Sequence, residues 1–508
     1  MNTACNRSLR RVVAALALLA LPLAAQKPST EQRTAHYLDS VRHQPSLLMA
    51  FLKQMPKGGD LHNHLYGAIY AESFLQWAAQ DGLCVDRASM TLLAPPCDQS
   101  AGKPPASNAL KDPALYAQLV DAFSMRDWNA ARDSGHDHFF NSFLKFDAVT
   151  AGHIGDMLAE AAKLSAGDRV TYLELMYAPD NGQAIHLGAR VGWSEDFAQM
   201  RQRLQANGLP DLIVAARKSL DEDEARMRQD LHCGTPDAQP GCQVTVRCLY
   251  QVLRGFPPEQ VFAQILTGFE LAQADPRVVG LNLVMPEDWY VPMHDFRLHM
   301  KMIDYLHGIY PKVHISLHAG ELSDGMVPPE GLSFHIRDSV EIGHAERIGH
   351  GVDVMRETDP LGLLKEMARR DVLVEICLTS NDLILGVRGN EHPLPIYMKY
   401  GVPVTLATDD EGVSRSDMTH EYLRAVEGYN LSYSQLKDMA RASLEHSFLP
   451  GASLWKDART FRLVHACAAD SPARNSPSPS CRKFLDASER AQVQWRAEGE
   501  FDKFEAKF

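Results

Sequence analysis

Gly58-Gly59-Asp60-Leu61-His62-Asn63-His64 decides how the rest of the chain is read. In an extended segment residues i and i+2 point to the same side, so His62 and His64 could grip one metal ion. An HxH pair alone is more often a structural or surface pair than a metal site. Its weight therefore depends on what other segments bring beside it.

Working outward, Gly59–His64 is the first of eight strand-like runs. The others are Val170–Tyr177, Gln243–Val252, Val278–Val284, Val313–His318, Arg347–His350, Val372–Cys377 and Pro403–Thr408. Helix-like stretches separate the later ones: Pro258–Gln273, His294–Ile309, Pro329–Ile342, Pro360–Arg370 and Pro395–Tyr400. Alternation of apolar strands with amphipathic helices predicts an α/β fold, the (β/α)₈ TIM barrel. The gap after the first strand is too long for one βα unit, so inserted helices and a loop are expected at about residues 70–165. Residues 26–55 read as an N-terminal helical extension, 56–450 as the barrel, and 451–508 as a C-terminal helical segment. Helices are expected from residue 415 onwards, interrupted by the polar loop Ala468–Ser480.

In such a barrel, chemistry collects at the C-terminal ends of the strands. The fifth run ends in His318-Ala319-Gly320-Glu321, the sixth in His350-Gly351 and the eighth in Thr408-Asp409-Asp410. His62, His64, His318 and Asp409 form a nitrogen-rich set with one carboxylate, which suits one Zn²⁺ with a position left for water. Such a water has its pKa lowered towards neutrality, and His350 is placed to orient it or take its proton. Glu321 could deliver a proton to a ring nitrogen if burial raises its pKa. Asp410 is expected to point away from Asp409 if the strand persists, so that one holds metal while the other meets substrate. Glu375 reads as a barrel-interior acid bonded to a neighbouring strand or as support for a metal ligand; the first reading is preferred.

The N-terminus carries Arg7, Arg10 and Arg11, then the apolar run Val12–Leu23 and the small pair Ala24-Ala25. That is the pattern of a signal peptide over residues 1–25, too short to span a bilayer, which needs about 20 apolar residues. The chain is thus expected to be secreted or periplasmic, and no later run is long and apolar enough to cross a membrane. Signal removal takes three arginines and no acid from 51 basic and 64 acidic residues, moving the net charge from −13 to −16. Such a charge disfavours nucleic acid or an anionic membrane as partner. In an exported chain, Cys84/Cys97, Cys233/Cys242 and Cys467/Cys481 are expected to close loops, and Cys248 and Cys377 to be buried free thiols.

The motifs MPKGGDLHNHLYGA (55–68), SLHAGE (316–321), RIGHG (347–351), EICLTSND (375–382) and HPLPIYMKYGVPVTLATDDEGV (392–413) resemble those of the adenosine deaminase family, within the metal-dependent amidohydrolases. The export signal, the His138-Phe139-Phe140 region and the run Ser443–Phe448 resemble its secreted, growth-factor-related branch. The resemblance implies zinc on His62, His64, His318 and Asp409, Glu321 protonating purine N1, His350 assisting the water and Asp410 bonding N7. Metal-bound hydroxide would attack C6 of adenosine or 2′-deoxyadenosine and release ammonia. It also implies that Gly320, Glu287 and His64 contact the substrate, a small purine nucleoside. The family usually has a glycine followed by an acidic or histidine residue and Glu after the fourth strand; here Met285-Pro286-Glu287 stands. The bulkier Met285 and the lost N–H of Pro286 put the nucleoside preference in question. Two alternatives stay open: an amidohydrolase acting on another 6-aminopurine or a non-purine, and a non-enzymatic binding protein. In the secreted branch the N-terminal helices are associated with a homodimer, although Leu47, Leu48, Phe51 and Leu52 could equally pack on the barrel's own outside.

Overall fold

The apolar runs become the strands of a barrel because most residues in them are buried, and buried backbone must be paired on both sides. The computed structural model describes residues 27–474 and 476–508; the signal-peptide reading of residues 1–25 lies outside them. The strands are β1 (Gly58–His64), β2 (Cys84–Asp86), β3 (Thr91–Leu93), β4 (Val170–Tyr177), β5 (Thr245–Leu253), β6 (Val278–Val284), β7 (His314–Ala319), β8 (Arg347–His350), β9 (Leu373–Ile376) and β10 (Val404–Leu406). Strands β2 and β3 form a separate antiparallel hairpin; the other eight run in the order β1-β4-β5-β6-β7-β8-β9-β10, with neighbours parallel. Backbone bonds join the first and last strands: His64 N–H donates to Asp409 O at 3.1 Å and Asp409 N–H to His62 O at 2.9 Å. The expected TIM barrel is therefore the observed fold.

The long stretch after β1 holds the hairpin and five α-helices, the short Leu65–Ala68 and then Ala71–Gln80, Pro113–Ala122, Gly135–Phe146 and Ile154–Gly167. The disulfides Cys84–Cys97, Cys233–Cys242 and Cys467–Cys481 all form, and Cys248 and Cys377 are free and buried. Three helices that the pattern did not announce, Gln183–Val191, Phe197–Ala206 and Leu209–Asp230, lie between β4 and β5.

The N-terminal helices Thr30–Val41 and Pro45–Gln54 pack on the chain's own outside. Leu48, Phe51 and Leu52 are buried, whereas Leu47 is 46% exposed. Phe51 meets the rings of Tyr433, Phe504 and Phe508, and Arg33 Nε donates to Phe508 O at 3.0 Å. Lys57 anchors this layer to the barrel through its ammonium, which donates to the carbonyls of Leu52, Met55 and Asp168.

Candidate active site

Strand periodicity aims His62 and His64 to one side, and acceptors behind them fix how each ring is used. His62 Nδ1 lies 2.7 Å from Glu375 Oε2, His64 Nδ1 3.3 Å from Gln251 Oε1, and His318 Nδ1 2.8 Å from Asn282 Oδ1. Asn282 Oδ1 also accepts the His318 backbone N–H at 3.0 Å, which sets the orientation of that amide. An oxygen at Nδ1 holds the ring proton there and leaves Nε2 with a bare lone pair. The bare nitrogens then face one another: His318 Nε2 is 3.1 Å from His62 Nε2 and 3.2 Å from His64 Nε2. Asp409 Oδ1 stands 3.5 Å from His62 Nε2 and 3.3 Å from His64 Nε2.

Four acceptors crowded together repel unless a cation sits among them. Bonds of 2.0–2.1 Å in a tetrahedral zinc site place neighbouring ligand atoms roughly 3.4 Å apart, close to these separations. The residues thus fit a divalent metal. Where no cation is present a proton serves instead: burial lowers the His62 pKa, but its hydrogen bonds to Asp409 and Glu375 outweigh burial and lift it to about 10. Burial pushes His64 down to about 4.

Left-handed backbone shapes the rim. His350 (φ 68°) and Asp409 (φ 60°) both adopt the conformation that disfavours a Cβ, a strain typical of working sites. Strand β10 ends at Leu406, so the expected alternation of Asp409 and Asp410 does not hold; the turn at Asp409 brings both carboxylates into the cavity. Asp410 presses against Gly67, where a Cβ would sit 1.6 Å from Asp410 Oδ1. Likewise a Cβ on Gly349 would stand 2.5 Å from His62 Cε1, so the ring needs that glycine. Burial, then the neighbouring Asp409, raises both Glu321 and Asp410 well above the usual carboxylate range. His350 Nε2 is 3.8 Å from Glu321 Oε1.

Two expected substrate contacts lie elsewhere. Glu287 is 1% exposed and accepts the backbone N–H groups of Gly320 at 3.1 Å and Glu321 at 2.8 Å. It therefore braces the loop that carries Glu321 from behind, and the Gly320 N–H is spent on it; neither residue lines the cavity. Glu375, read as interior structure, does both jobs: one oxygen meets His62, the other pairs with Arg347 Nε at 2.7 Å. The sequence reading missed Gln251 and Asn282, since an amide within a strand carries no motif.

The cavity measures about 470 Å³ and is lined by this His/Asp cluster and by the apolar side chains of Phe139, Phe140, Phe143, Leu144 and Trp289, the last two exposed. Met285 and Pro286 line its side. Met285 has φ 88°, in the left-handed region where glycine is unstrained, and its carbonyl is held by Arg254 Nε and Nη2. Among the described lining residues none is Lys or Arg.

The adenosine deaminase family model matches residues 111–453. Adenosine deaminase of Mycobacterium sp. (strain KMS) is 25% identical over 347 residues, 66% of this chain and 83% of that one. Adenine deaminase of Rhizobium leguminosarum bv. trifolii (strain WSM2304) is 24% identical over 322 residues, 61% of this chain and 82% of that one. Among solved structures, the apo N6-methyl-AMP deaminase from Arabidopsis thaliana superposes with a TM-score of 0.51 at 20% identity, covering 79% of this chain and 94% of that chain. His62 and His64 precede the segment matched by the family model, so their place in the site rests on geometry. The chain belongs to the adenosine deaminase family, a metal-dependent family of hydrolases that act on C–N bonds in cyclic amidines of small purine substrates.

Proposed function

We propose that the protein hydrolytically deaminates adenosine or 2′-deoxyadenosine to the inosine product and ammonia, using one zinc ion per chain held by His62, His64, His318 and Asp409. The observation that carries this reading is the convergence of three imidazole Nε2 atoms and a carboxylate beside Glu321, whose carboxyl pKa is raised well above the usual range by burial and the neighbouring Asp409. A bound zinc ion would lower the pKa of a coordinated water towards neutrality and so supply a nucleophile. As water adds to C6, charge develops on N1, and Glu321 gives N1 its proton. Asp410, also held protonated, donates a hydrogen bond to N7, which orients the ring. His350 steers the water; one of the water's protons passes to the C6 amine, which leaves as ammonia, and the other returns to Glu321 as the C6 carbonyl forms.

With C6 at the cluster, N9 and its substituent lie at the far side of the purine, towards the apolar side chains of the lining. The lining carries Asp147 and no Lys or Arg, which disfavours a phosphate there and favours a nucleoside over a nucleotide. Deamination of a different 6-aminopurine or of a non-purine is the second reading, favoured by Met285 and Pro286, which narrow the cavity and remove an N–H donor. We also infer export to the periplasm or the exterior; the three disulfides support it. The secreted, growth-factor-related branch and its homodimer are part of the same proposal, read by light scattering of the mature chain. Ultraviolet-monitored turnover of adenosine, with zinc quantified in the same sample, tests the function: turnover abolished by chelation supports it. Bound zinc with no adenosine turnover overturns the nucleoside assignment and moves the search to Met285 and Pro286.

A further inference from the structure

His350 faces the metal-binding cluster yet is wired unlike the three histidines beside it. The wiring begins at a backbone amide: Leu394 N–H donates to His392 Nδ1 at 3.1 Å. A ring nitrogen that accepts carries no proton, so the proton of neutral His392 is on Nε2, which lies 3.1 Å from Asn381 Oδ1. With its oxygen turned to His392, the Asn381 amide presents the donor Nδ2 to His350 Nδ1 at 3.0 Å. The proton of neutral His350 is thereby placed on Nε2, the nitrogen that has no partner among the described residues and looks into the site. A backbone N–H cannot become an acceptor, so the polarity of the whole chain of bonds is fixed at its origin. All three side chains are buried, and water does not compete for these bonds.

We propose that Asn381 and His392 are positioning residues that hold His350 as its Nε2–H tautomer. In that form the ring donates a hydrogen bond to whatever oxygen occupies the centre of the site. It is also kept from acting as an extra ligand, although one of its ring nitrogens lies within 4.8 Å of a ligand atom of each of His62, His318 and Asp409. The three ligand histidines carry their protons on Nδ1 and His350 on Nε2, so one cavity holds both tautomers, each set by its partner on the far side of the ring. Only the activity readouts of this proposal rest on the deaminase reading.

Neutron diffraction from a deuterium-exchanged crystal of the zinc-loaded protein decides the tautomer. Deuterium on Nε2 of His350 and of His392, with both Nδ1 atoms bare, is the expected result; deuterium on His350 Nδ1 overturns the proposal. Asn381→Asp, nearly isosteric, replaces the donor by an acceptor and draws the proton to His350 Nδ1. Its kcat is expected to fall about a hundredfold or more with KM within about threefold and zinc content unchanged. Unchanged kcat in a folded, zinc-loaded Asn381→Asp enzyme overturns the proposal. His392→Gln keeps a donor for Asn381 and is expected to retain more activity than His392→Leu; equal losses remove His392 from the relay. Should a variant fail to fold, or the wild type turn over no purine, the neutron map of the wild type still decides.

Discussion

Two layers of buried charge cross the barrel, and they follow opposite rules. In the lower layer Arg347 reaches Glu174 Oε2 through Nη2 at 2.5 Å and gives Nη1 to His446 O, while its Nε lies in an off-angle ion pair with Glu375 Oε1. Glu174 also accepts from the Tyr172 hydroxyl and the Phe448 N–H. Each charge there meets an opposite charge. In the upper layer Asp410 Oδ1 and His350 Nε2 face a cavity without partners among the described residues, and burial and Asp409 raise the Glu321 and Asp410 carboxyls well above the usual range. Both layers are buried, so burial alone does not mark function; polar atoms left unpartnered towards an open space do. Glu375 belongs to both, one oxygen in each.

Substitutions in the two layers should therefore fail differently. Glu321→Gln is expected to lower kcat about 10²–10⁴-fold, while the urea midpoint holds, because an isosteric amide replaces an already neutral carboxyl. A falling midpoint with undiminished activity per folded molecule would erase the distinction between the layers. Arg347→Met leaves Glu174 and Glu375 buried without a counter-charge, an expected loss of about 3–5 kcal/mol in chemical denaturation. Glu375→Gln probes the shared residue: metal affinity, read by competition with a chelator, is expected to weaken about 10–100-fold, with a smaller loss of stability than Arg347→Met gives.

The smallest effect sits outside both layers, at His299, whose two ring nitrogens have no partner among the described residues. Burial, then Arg254, pushes its pKa from 6.5 down to about 4. Above pH 6.5 the ring is neutral folded and unfolded. As pH falls from there towards 4 the unfolded chain takes a proton that the folded one refuses, so stability is lost by up to about 1.4 kcal/mol per pH unit. His299→Met escapes this loss. The difference in urea midpoint between variant and wild type should move in the variant's favour on going from about pH 7 to about pH 5; a constant difference would show that His299 carries no such penalty.

Much of the barrel was legible because strands buried on both faces read as unbroken apolar runs. Val170–Tyr177, Val278–Val284 and Arg347–His350 were bounded as observed. The helix Leu209–Asp230 was not, since it lies on the outside with only Leu209, Ala216 and Leu220 buried, and its charged faces leave a weak apolar stripe. In the site, His62, His64, His318, Glu321, His350, Asp409 and Asp410 stood at strand ends, where barrel physics points. What escaped was the direction of side chains after the strands stop: Glu287 follows a proline turn that sends it behind the cavity, and Asp409 adopts a backbone that alternation does not describe. The amides Gln251, Asn282 and Asn381 became visible only when distant strands set them against a ring.

The seam between β1 and β10 has a consequence for how the molecule comes into being. Asp409 closes the barrel against His62 and His64 with its backbone while its carboxylate joins their rings. Closure of the fold and completion of the cluster are then one event. A chain halted before Val404 lacks both the last strand and the anionic member of the set, so partial products of synthesis cannot assemble a competent centre. Ligation across that seam would tie the earliest strand to the latest, over a loop whose closure entropy grows only slowly with its length. The cluster thus acts as a final inspection of assembly, passed only by a chain whose two ends of the barrel have met.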